Sequence, residues 1–290
     1  MIVINNDEGQ LCNKLLLLSN VYATAIDTNQ TVYHIYWKYN EKLFRKTDHK
    51  NFRYPFVKLG RLFPYYNKYV LNKRNKKFSY RIRRDVQDEK RNRIHANNKH
   101  GIYMVDDWAY RDYEALFKHR ERIVNTFTPV QKTEDTIEHF WQELSLKPDA
   151  VTIGVHIRRG DYKTWQNGKY YFTDEAYKNW MMDLAKAMPN KIVFILCSNE
   201  KINLPHFESD LYSVCEAPGS QMEDLYTLAR CDYIMGPPST YSWWAAFYGK
   251  KKYLTLRSVG QRIRLAVFRE IEGEEFTEAY AEKMVRDGAL

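Results

Sequence analysis

Residues 151–162 read VTIGVHIRRGDY, and this stretch decides the fold of the chain. Apolar side chains fall at every second position from 151 to 157, which predicts a buried β-strand. Arg158 and Arg159 follow at its carboxyl end. Guanidinium groups beside a buried strand are costly unless they meet anions, and their planar forks match phosphate oxygens. The stretch therefore predicts phosphate-binding arginines at a strand end; the alternative is a surface ion pair between Arg159 and Asp161.

The chain that follows alternates between strand and helix patterns. Short apolar runs predict three more strands, at 191–196, 233–235 and 252–256. Helical spacing predicts one helix at 177–188 and another at 239–248. A third helix is predicted to follow the capping box that begins at Ser220. The helix at 239–248 is expected to end at Gly249. Strands that alternate with helices form a mostly parallel sheet, whose ligands bind at the carboxyl ends of the strands.

The chain before residue 150 predicts a second α/β unit. Strand patterns cover 1–5, 31–37 and 101–105, and helical patterns start at Leu11 and cover 110–126 and 133–146. The Lys147-Pro148-Asp149 sequence breaks the last helical pattern. We therefore expect one domain at 1–148 and a second at 149–290.

Composition excludes several classes of protein. The 290 residues are 44% hydrophobic and 28% charged, which suits a packed globular chain rather than a disordered one. No apolar run approaches the roughly 18 residues of a membrane span, and the first residues lack the pattern of a signal peptide. Four cysteines lie far apart without a C-x-x-C pair, which predicts neither a disulfide framework nor a zinc site. These features predict a cytoplasmic protein.

One segment carries the basic excess of the chain. Between Lys68 and Lys99, 12 Lys or Arg residues stand against three acids, an excess equal to the whole net charge of +9. This basic tract predicts an insertion in the first domain rather than a nucleic-acid-binding domain. It is expected to be either a solvated loop or a surface that contacts an anionic polymer or the inner face of an anionic membrane.

Two motifs resemble the H-x-R-R-x-D fucosyltransferases, above all the bacterial α-1,2-fucosyltransferases. The sequence HIRRGDY at 156–162 is similar to the family's H-V-R-R-G-D-Y, and STYSWW at 239–244 is similar to its S-x-F-S-W-W segment. Residues 194–200 resemble a Ser-Asp-Asp-like turn of the family, and residues 222–231 resemble its D-L-x-x-M-x-x-C helix. The opening turn departs from the family's G-G-L-G-N-Q, because Gln10 and Cys12 replace two of the glycines.

The resemblance implies a GT-B-like α/β fold with two Rossmann-like domains and an active site in the cleft between them. It implies an inverting transfer of L-fucose from GDP-fucose to a glycan hydroxyl, with α-1,2 linkage expected. The first domain would lie on the acceptor side and the second would bind the GDP-sugar. No metal ion and no further cofactor would be required. Another GDP-sugar donor remains an alternative, since arginines recognise the diphosphate, and so does a polyanion-binding protein that uses the basic tract.

The same resemblance assigns roles to particular residues. Arg158 would stabilise the charge that develops on the leaving GDP, with Arg159 as a second cation or a structural support. The remaining nucleotide-binding residues would be His156, Ser198, Ser239, Thr240 and Ser242. The general base that deprotonates the acceptor would be one of three carboxylates, Asp7, Glu8 or Asp161.

Overall fold

The computed structural model describes residues 1–37, 40–46, 52–53, 79–82, 94, 102–108, 110–188, 191–273 and 275, with backbone alone at 52–53 and 79–82. Contacts divide the chain into two compact units, Met1–Val130 and Gln131–Leu290. Each unit contains a five-stranded sheet in which every neighbouring pair of the described strands is parallel.

The sheet of the first unit has the strand order β3-β2-β1-β5-β4. Its strands are β1 Ile2–Ile4, β2 Val32–His34, β3 Phe52–Arg53, β4 Ser79–Ile82 and β5 Ile102–Val105. Its helices are α1 Leu11–Asp27, α2 Tyr113–Lys118 and α3 Arg120–Thr126. α1 is almost entirely buried because leucines, alanines and other apolar residues surround its whole circumference. The single helix predicted at 110–126 is in fact two helices, α2 and α3, which are separated at His119.

The basic tract differs from the expected insertion in one part. Residues 79–82, inside the tract, form β4 at the edge of the first sheet and pair in parallel with β5. Apart from this strand and Ile94, which is buried, the tract lies outside the described residues. At least one short strand of the tract is thus part of the sheet.

The sheet of the second unit has the strand order β10-β9-β6-β7-β8. Its strands are β6 Val151–Ile157, β7 Ile192–Ser198, β8 Ser213–Glu216, β9 Tyr233–Gly236 and β10 Lys252–Thr255. Its helices are α4 Gln131–Glu143, α5 Asp174–Ala187, α6 Leu204–Phe207, α7 Gln221–Leu228 and α8 Thr240–Gly249. The predicted strands and helices of this half are confirmed, whereas β8 and the short α6 were not predicted.

The border between the units lies at Val130, earlier than the expected border after residue 148. The intervening α4 packs against α7, and Glu138 on α4 accepts a 2.8 Å hydrogen bond from Arg230. Because its contacts are made with the second unit, α4 belongs to that unit although a proline-containing break follows it in sequence.

Aromatic packing holds α5 and α8 against the second sheet. Trp180 on α5 and Phe194 on β7 are buried in one apolar cluster, and burial of each such side chain contributes about 1.5–3 kcal/mol. Trp243 and Trp244 on α8 are both fully buried, as expected for a helix packed against a sheet. α8 ends at Gly249 as expected, and Lys250, the C-cap residue after it, has the left-handed conformation (φ 53°). Gly249 is needed for another reason: a Cβ there would lie 1.9 Å from the Ala229 carbonyl oxygen.

Candidate active site

The carboxyl ends of three neighbouring strands collect the predicted site residues of the second unit. β6 lies between β9 and β7, with Val155 beside Met235 and Ile157 beside Ser198. Residues that directly follow these strands must therefore lie along one edge of the sheet. The edge carries the H-x-R-R-x-D sequence in its middle, the segment after Ser198 on one side and the start of α8 on the other.

His156 and Ser242 form a buried hydrogen-bonded pair at this edge. The distance from His156 Nδ1 to Ser242 Oγ is 2.8 Å, and both residues are almost inaccessible to solvent. Burial, reinforced by the charge of Arg158, lowers the pKa of His156 to about 3, so the imidazole is neutral at physiological pH. Gly236 makes room for the pair, because a Cβ there would lie 2.9 Å from His156 Cβ. Ser242 was expected to contact phosphate, but its hydroxyl instead supports His156 from within the core.

Arg158 is held at the end of β6 by a carboxylate and an aromatic ring. Its Nη2 lies 2.8 Å from Asp161 Oδ1, and its guanidinium lies 5.5 Å from the centre of the Tyr162 ring. The Arg158 side chain is 15% exposed, whereas Asp161 is 59% exposed. A guanidinium fixed in this way presents a positioned charge at the strand end without the entropy cost of a free side chain.

Arg159 has different partners from its neighbour. It forms an ion pair with Asp174 at the start of α5, and its guanidinium lies 5.4 Å from the centre of the Tyr171 ring. The alternative pairing of Arg159 with Asp161 is therefore wrong, because Asp161 pairs with Arg158 instead. Of the two roles expected for Arg159, this geometry favours structural support.

The turn after β7 fixes the backbone of the arginine segment. Asn199 Oδ1 accepts a 2.8 Å hydrogen bond from the Arg159 backbone N–H, and Glu200 Oε1 accepts one of 3.1 Å from Gly160 N–H. Gly160 has φ +61°, a conformation that glycine adopts without strain. Ser198 accepts a hydrogen bond from the Glu200 N–H and thereby shapes the same turn. Asn199 and Glu200 were missed as site residues, although the polar triplet directly after a strand was visible in the sequence.

The start of α8 completes this edge. Ser239 is the N-cap residue, and its Oγ accepts a 3.2 Å hydrogen bond from the Tyr241 N–H. Tyr162 donates a hydrogen bond to the Pro238 carbonyl oxygen, which joins the arginine segment to the α8 turn. Thr240 is half-buried in the first turn of the helix. A helix start of this kind presents backbone N–H groups and a positive dipole end to an anion.

A buried carboxylate, Asp224, lies in the first turn of α7. Its Oδ1 accepts a 2.7 Å hydrogen bond from the Gly219 N–H, and the residue is 6% exposed. Burial raises the pKa of Asp224 to about 6. Asp224 lies in the segment that resembles the D-L-x-x-M-x-x-C helix of the fucosyltransferases, and the sequence alone indicates no role for it.

The other predicted acids lie in the first unit, after β1. Asp7 forms a 2.5 Å ion pair with Lys14, and the Glu8 backbone N–H donates to Asn6 Oδ1. Asp106, which follows β5, accepts a 2.9 Å hydrogen bond from Asn5 Nδ2. Among the described residues no group of three or more His, Cys, Asp or Glu is arranged to hold a metal ion. Across that part of the chain, none of the helices has the length and apolar composition needed to cross a bilayer.

The sequence of residues 81–263 matches the profile of glycosyl transferase family 11, and this region is more than half of the chain. The chain belongs to glycosyl transferase family 11. The arginine segment, the Ser198 turn and the start of α8 all lie within the matched region of this family 11 chain.

Curated relatives of the family 11 chain include two mammalian enzymes. Galactoside alpha-(1,2)-fucosyltransferase 1 of Mus musculus is 26% identical over 197 residues, which cover 57% of this chain and 52% of the relative. Galactoside alpha-(1,2)-fucosyltransferase 2 of Gorilla gorilla gorilla is 24% identical over 175 residues, covering 50% of each protein. The chain spans about half the length of the curated relatives it matches.

Solved structures establish the fold of the family 11 chain. A mutant of Arabidopsis thaliana FUT1 in complex with GDP superposes with a TM-score of 0.57 at 13% identity, covering 88% of this chain and 70% of that one. The fucosyltransferase NodZ from Bradyrhizobium superposes with a TM-score of 0.55 at 18% identity, covering 84% and 91%. The predicted GT-B-like α/β class, with two Rossmann-like units, is confirmed.

Proposed function

We propose that the family 11 chain is an inverting fucosyltransferase that moves L-fucose from GDP-fucose to a hydroxyl of a glycan, with α-1,2 linkage. The observation that carries this proposal is the fixed guanidinium of Arg158, at the carboxyl end of β6 and beside the start of α8. The names of the curated relatives support the reaction and make a galactoside the first acceptor to test. GDP and GDP-fucose in the complexes of structural neighbours support the donor.

Arg158 would act on the leaving group. Departure of GDP concentrates negative charge on the β-phosphate, and a cation that is already positioned stabilises that charge without reorganisation. Asp161 would orient the guanidinium through its 2.8 Å contact rather than accept a proton. Backbone N–H groups and Thr240 at the start of α8 would bind the remaining phosphate oxygens.

Three residues would support this arrangement from behind. Arg159 would hold the segment against α5 through Asp174. The neutral, buried His156 would join the end of β6 to α8 through its 2.8 Å contact with Ser242. Each of these contacts limits the positions that Arg158 can take, which matters because a displacement of about 1 Å can reduce turnover by about two orders of magnitude.

Glu8 would be the general base. Inversion requires a base on the acceptor, and the carboxylates of Asp7 and Asp161 each form an ion pair within the described part of the chain. Glu8 is exposed, and no ion pair of its carboxylate occurs among the described residues. A carboxylate that no cation engages can contact the acceptor hydroxyl directly. A Glu8→Gln variant should therefore lose turnover and keep its affinity for GDP.

The decisive experiment measures GDP release from GDP-fucose with a panel of galactosides, followed by determination of the product linkage. A parallel panel of GDP-sugars tests whether another donor is preferred. We expect activity to survive treatment with a chelator, since arginine supplies the charge that a divalent ion would otherwise provide. A strict and reversible requirement for Mg²⁺ or Mn²⁺ would contradict this role of Arg158. Absence of GDP binding would contradict the whole proposal.

A further inference from the structure

A tryptophan on the surface stands out beside the arginine segment. Among the described residues four large apolar side chains are exposed, and Trp165 is the aromatic one. It is 40% exposed, although indole rings are among the most costly groups to leave in water. Isolated exposed apolar residues are common, so exposure alone carries no function. The surroundings of Trp165 supply the further observations.

Two buried tyrosines hold the Trp165 ring in place. The ring centre lies 4.7 Å from that of Tyr162 and 5.6 Å from that of Tyr170. Both tyrosines belong to the apolar core of the second unit and are less than one-tenth exposed. One part of the indole therefore packs on the protein while the rest faces solvent. A rigid ring of this kind loses little conformational entropy when a ligand stacks on it.

The backbone around Trp165 is shaped in an unusual way. Three consecutive residues after it have left-handed conformations: Gln166 at φ 48°, Asn167 at φ 58° and Gly168 at φ 74°. Such conformations are disfavoured for non-glycine residues and tend to occur at functional sites, where the surrounding structure enforces them. Here backbone hydrogen bonds hold the turn, including Asn167 N–H to the Thr164 oxygen at 3.1 Å and Lys169 N–H to the Gln166 oxygen at 3.2 Å. Gln166 and Asn167, which directly follow Trp165 in this turn, are both exposed.

The Trp165 ring is also close to the proposed reaction centre. The Tyr162 ring that packs against Trp165 is the same ring that lies 5.5 Å from the Arg158 guanidinium. Thus a single aromatic ring separates the exposed indole from the cation assigned to the leaving group. A molecule stacked on Trp165 would therefore lie on the same part of the surface as the arginine segment.

We propose that Trp165 is the stacking platform for the acceptor sugar, a neutral hexopyranose of the galactoside class. This inference rests on the proposed function. One face of a galactopyranose ring carries C–H groups with partial positive charge, which complements the negative face of an indole. Amides both donate and accept hydrogen bonds, so Gln166 and Asn167 match the hydroxyl groups at the rim of a sugar. Guanine, the alternative partner for the indole, is distinguished by the experiment.

The test is steady-state kinetics and ligand binding with the full chain and the variants Trp165→Ala, Trp165→Leu and Trp165→Phe. The acceptor probe is whichever of lactose, N-acetyllactosamine and lacto-N-biose the wild type binds most tightly in saturation-transfer NMR. We expect the acceptor KM to rise about tenfold in the Ala and Leu variants, which corresponds to a loss of about 1.4 kcal/mol in binding free energy. Trp165→Phe should remain within about threefold of wild type, because it retains an aromatic face. The Kd for GDP should change less than twofold in all three variants.

Leu211→Ala is the matched control. Leu211 is 50% exposed and precedes β8, at the opposite edge of the same sheet, so loss of its side chain should leave the acceptor KM unchanged. If Trp165→Ala folds poorly, the comparison of the Leu and Phe variants makes the same distinction. An unchanged acceptor KM in the Leu variant would overturn the inference, and so would a loss of GDP affinity.

Failure of the inference can be told apart from failure of the proposed function. If the wild type binds GDP but none of the three galactosides, the stacking platform for galactosides is wrong while the donor site stands. If the wild type does not bind GDP, the proposed function is wrong. If GDP and a galactoside bind and Trp165 has no effect on the galactoside, only the inference is wrong.

Discussion

The two sheets share one architecture but differ in the polar residues that follow their middle strands. Both have five parallel strands in the described residues. The middle strand is β1 in the first sheet and β6 in the second. The carboxyl edge of the first sheet presents amides and acids, among them Asn5, Glu8 and Asp106. The corresponding edge of the second sheet presents Arg158 and Arg159. A parallel sheet therefore determines where ligands approach, whereas the residues after each strand determine which ligand is bound.

The difference separates two kinds of chemistry that a glycosyl transfer needs. Cations stabilise a departing diphosphate, and a carboxylate withdraws a proton from an attacking hydroxyl. In this chain the cations follow β6 of the second sheet, and Glu8, the proposed base, follows β1 of the first. Each prediction below tests one part of this contrast.

The largest expected effect follows from removal of Arg158. Arg158→Ala should reduce the turnover of GDP-fucose about 100–1,000-fold, the usual cost of losing one positioned donor to a transition-state charge. Arg158→Lys should not restore turnover, because an ammonium group lacks the planar fork. The measurement is kcat with a saturating acceptor, alongside a melting curve.

Arg230→Ala is the matched control for Arg158. Arg230 lies in the same unit and also pairs with an acid, Glu138, but at the exposed α4 surface. Its loss should leave kcat unchanged. Turnover of Arg158→Ala within tenfold of wild type would show that the cationic edge is not the site of leaving-group stabilisation.

The buried acid in the first turn of α7 should affect stability. The folded protein holds the pKa of Asp224 near 6, above the ordinary value of 3.8, so the folded state binds this proton more tightly than the unfolded state. The contribution of Asp224 to the free energy of unfolding is therefore constant below about pH 4. It decreases as the pH rises from about 4 through 6 and stays at its lowest value above that range. Asp224→Asn retains an acceptor for the Gly219 N–H. At pH 7.5 it should raise the free energy of unfolding by on the order of 2–3 kcal/mol.

Urea unfolding of Asp224→Asn and wild type at pH 4 and pH 7.5 measures this effect. The two proteins should have nearly equal stability at pH 4 and differ at pH 7.5. Asp183→Asn, at an exposed position on α5, is the control and should show no such difference. Equal stability of Asp224→Asn and wild type at both pH values would contradict the raised pKa of Asp224.

Loss of Arg159 should affect stability more than chemistry. Arg159→Ala removes the ion pair with Asp174, in which the arginine is 15% and the acid 36% exposed. We expect a loss of about 1–2 kcal/mol in the free energy of unfolding, below the cost of breaking a fully buried pair because Asp174 is accessible to water. Turnover should fall much less than in Arg158→Ala. Equal kinetic losses in the two variants would mean that both arginines act on the leaving group.

The smallest expected effect concerns the basic tract, most of which lies outside the described residues. The test replaces four of its residues by Gln: Lys73, Arg74, Lys76 and Lys77. The variant should sediment less with anionic vesicles at low salt and should still bind GDP. Each basic residue near an anionic surface contributes about 1 kcal/mol, and the effect decays over a Debye length of roughly 8 Å at physiological salt. Unchanged sedimentation with lost activity would place the tract near the acceptor. Unchanged sedimentation and activity would leave a solvated loop.

A matched set of substitutions controls for net charge in that experiment. Four exposed lysines of the second unit supply it: Lys186, Lys191, Lys201 and Lys252. Their replacement by Gln changes the net charge equally and should leave vesicle binding unchanged. Equal effects of the two sets would show that total charge, rather than the tract, governs the association.

Much of the second unit could be predicted from local pattern. β6 was predicted with its observed bounds, and the capping box at Ser220 does begin α7, with Ser220 Oγ accepting from the Glu223 N–H. These features depend on neighbours within a few residues in the chain, so the sequence specifies them directly. The four-residue β4 was missed because basic residues on both sides mask its short pattern. Edge strands of this length depend on pairing with a neighbour, here β5, and carry little signal of their own.

The amino-acid sequence by itself determined the alternation of strands and helices, the arginines at the end of β6 and the resemblance to a family of fucosyltransferases. Only the tertiary structure decided which partner each polar group takes. Arg158 pairs with Asp161, Arg159 with Asp174, and Ser242 faces His156 rather than a phosphate site. Trp165 likewise became a candidate platform only when its exposure and the packing of Tyr162 and Tyr170 against its ring were known. The physical reason is that strand and helix periodicity is set by the order of residues, whereas burial and the choice among possible partners depend on the folded path of the chain, which also brings His156 and Ser242 together across 86 residues.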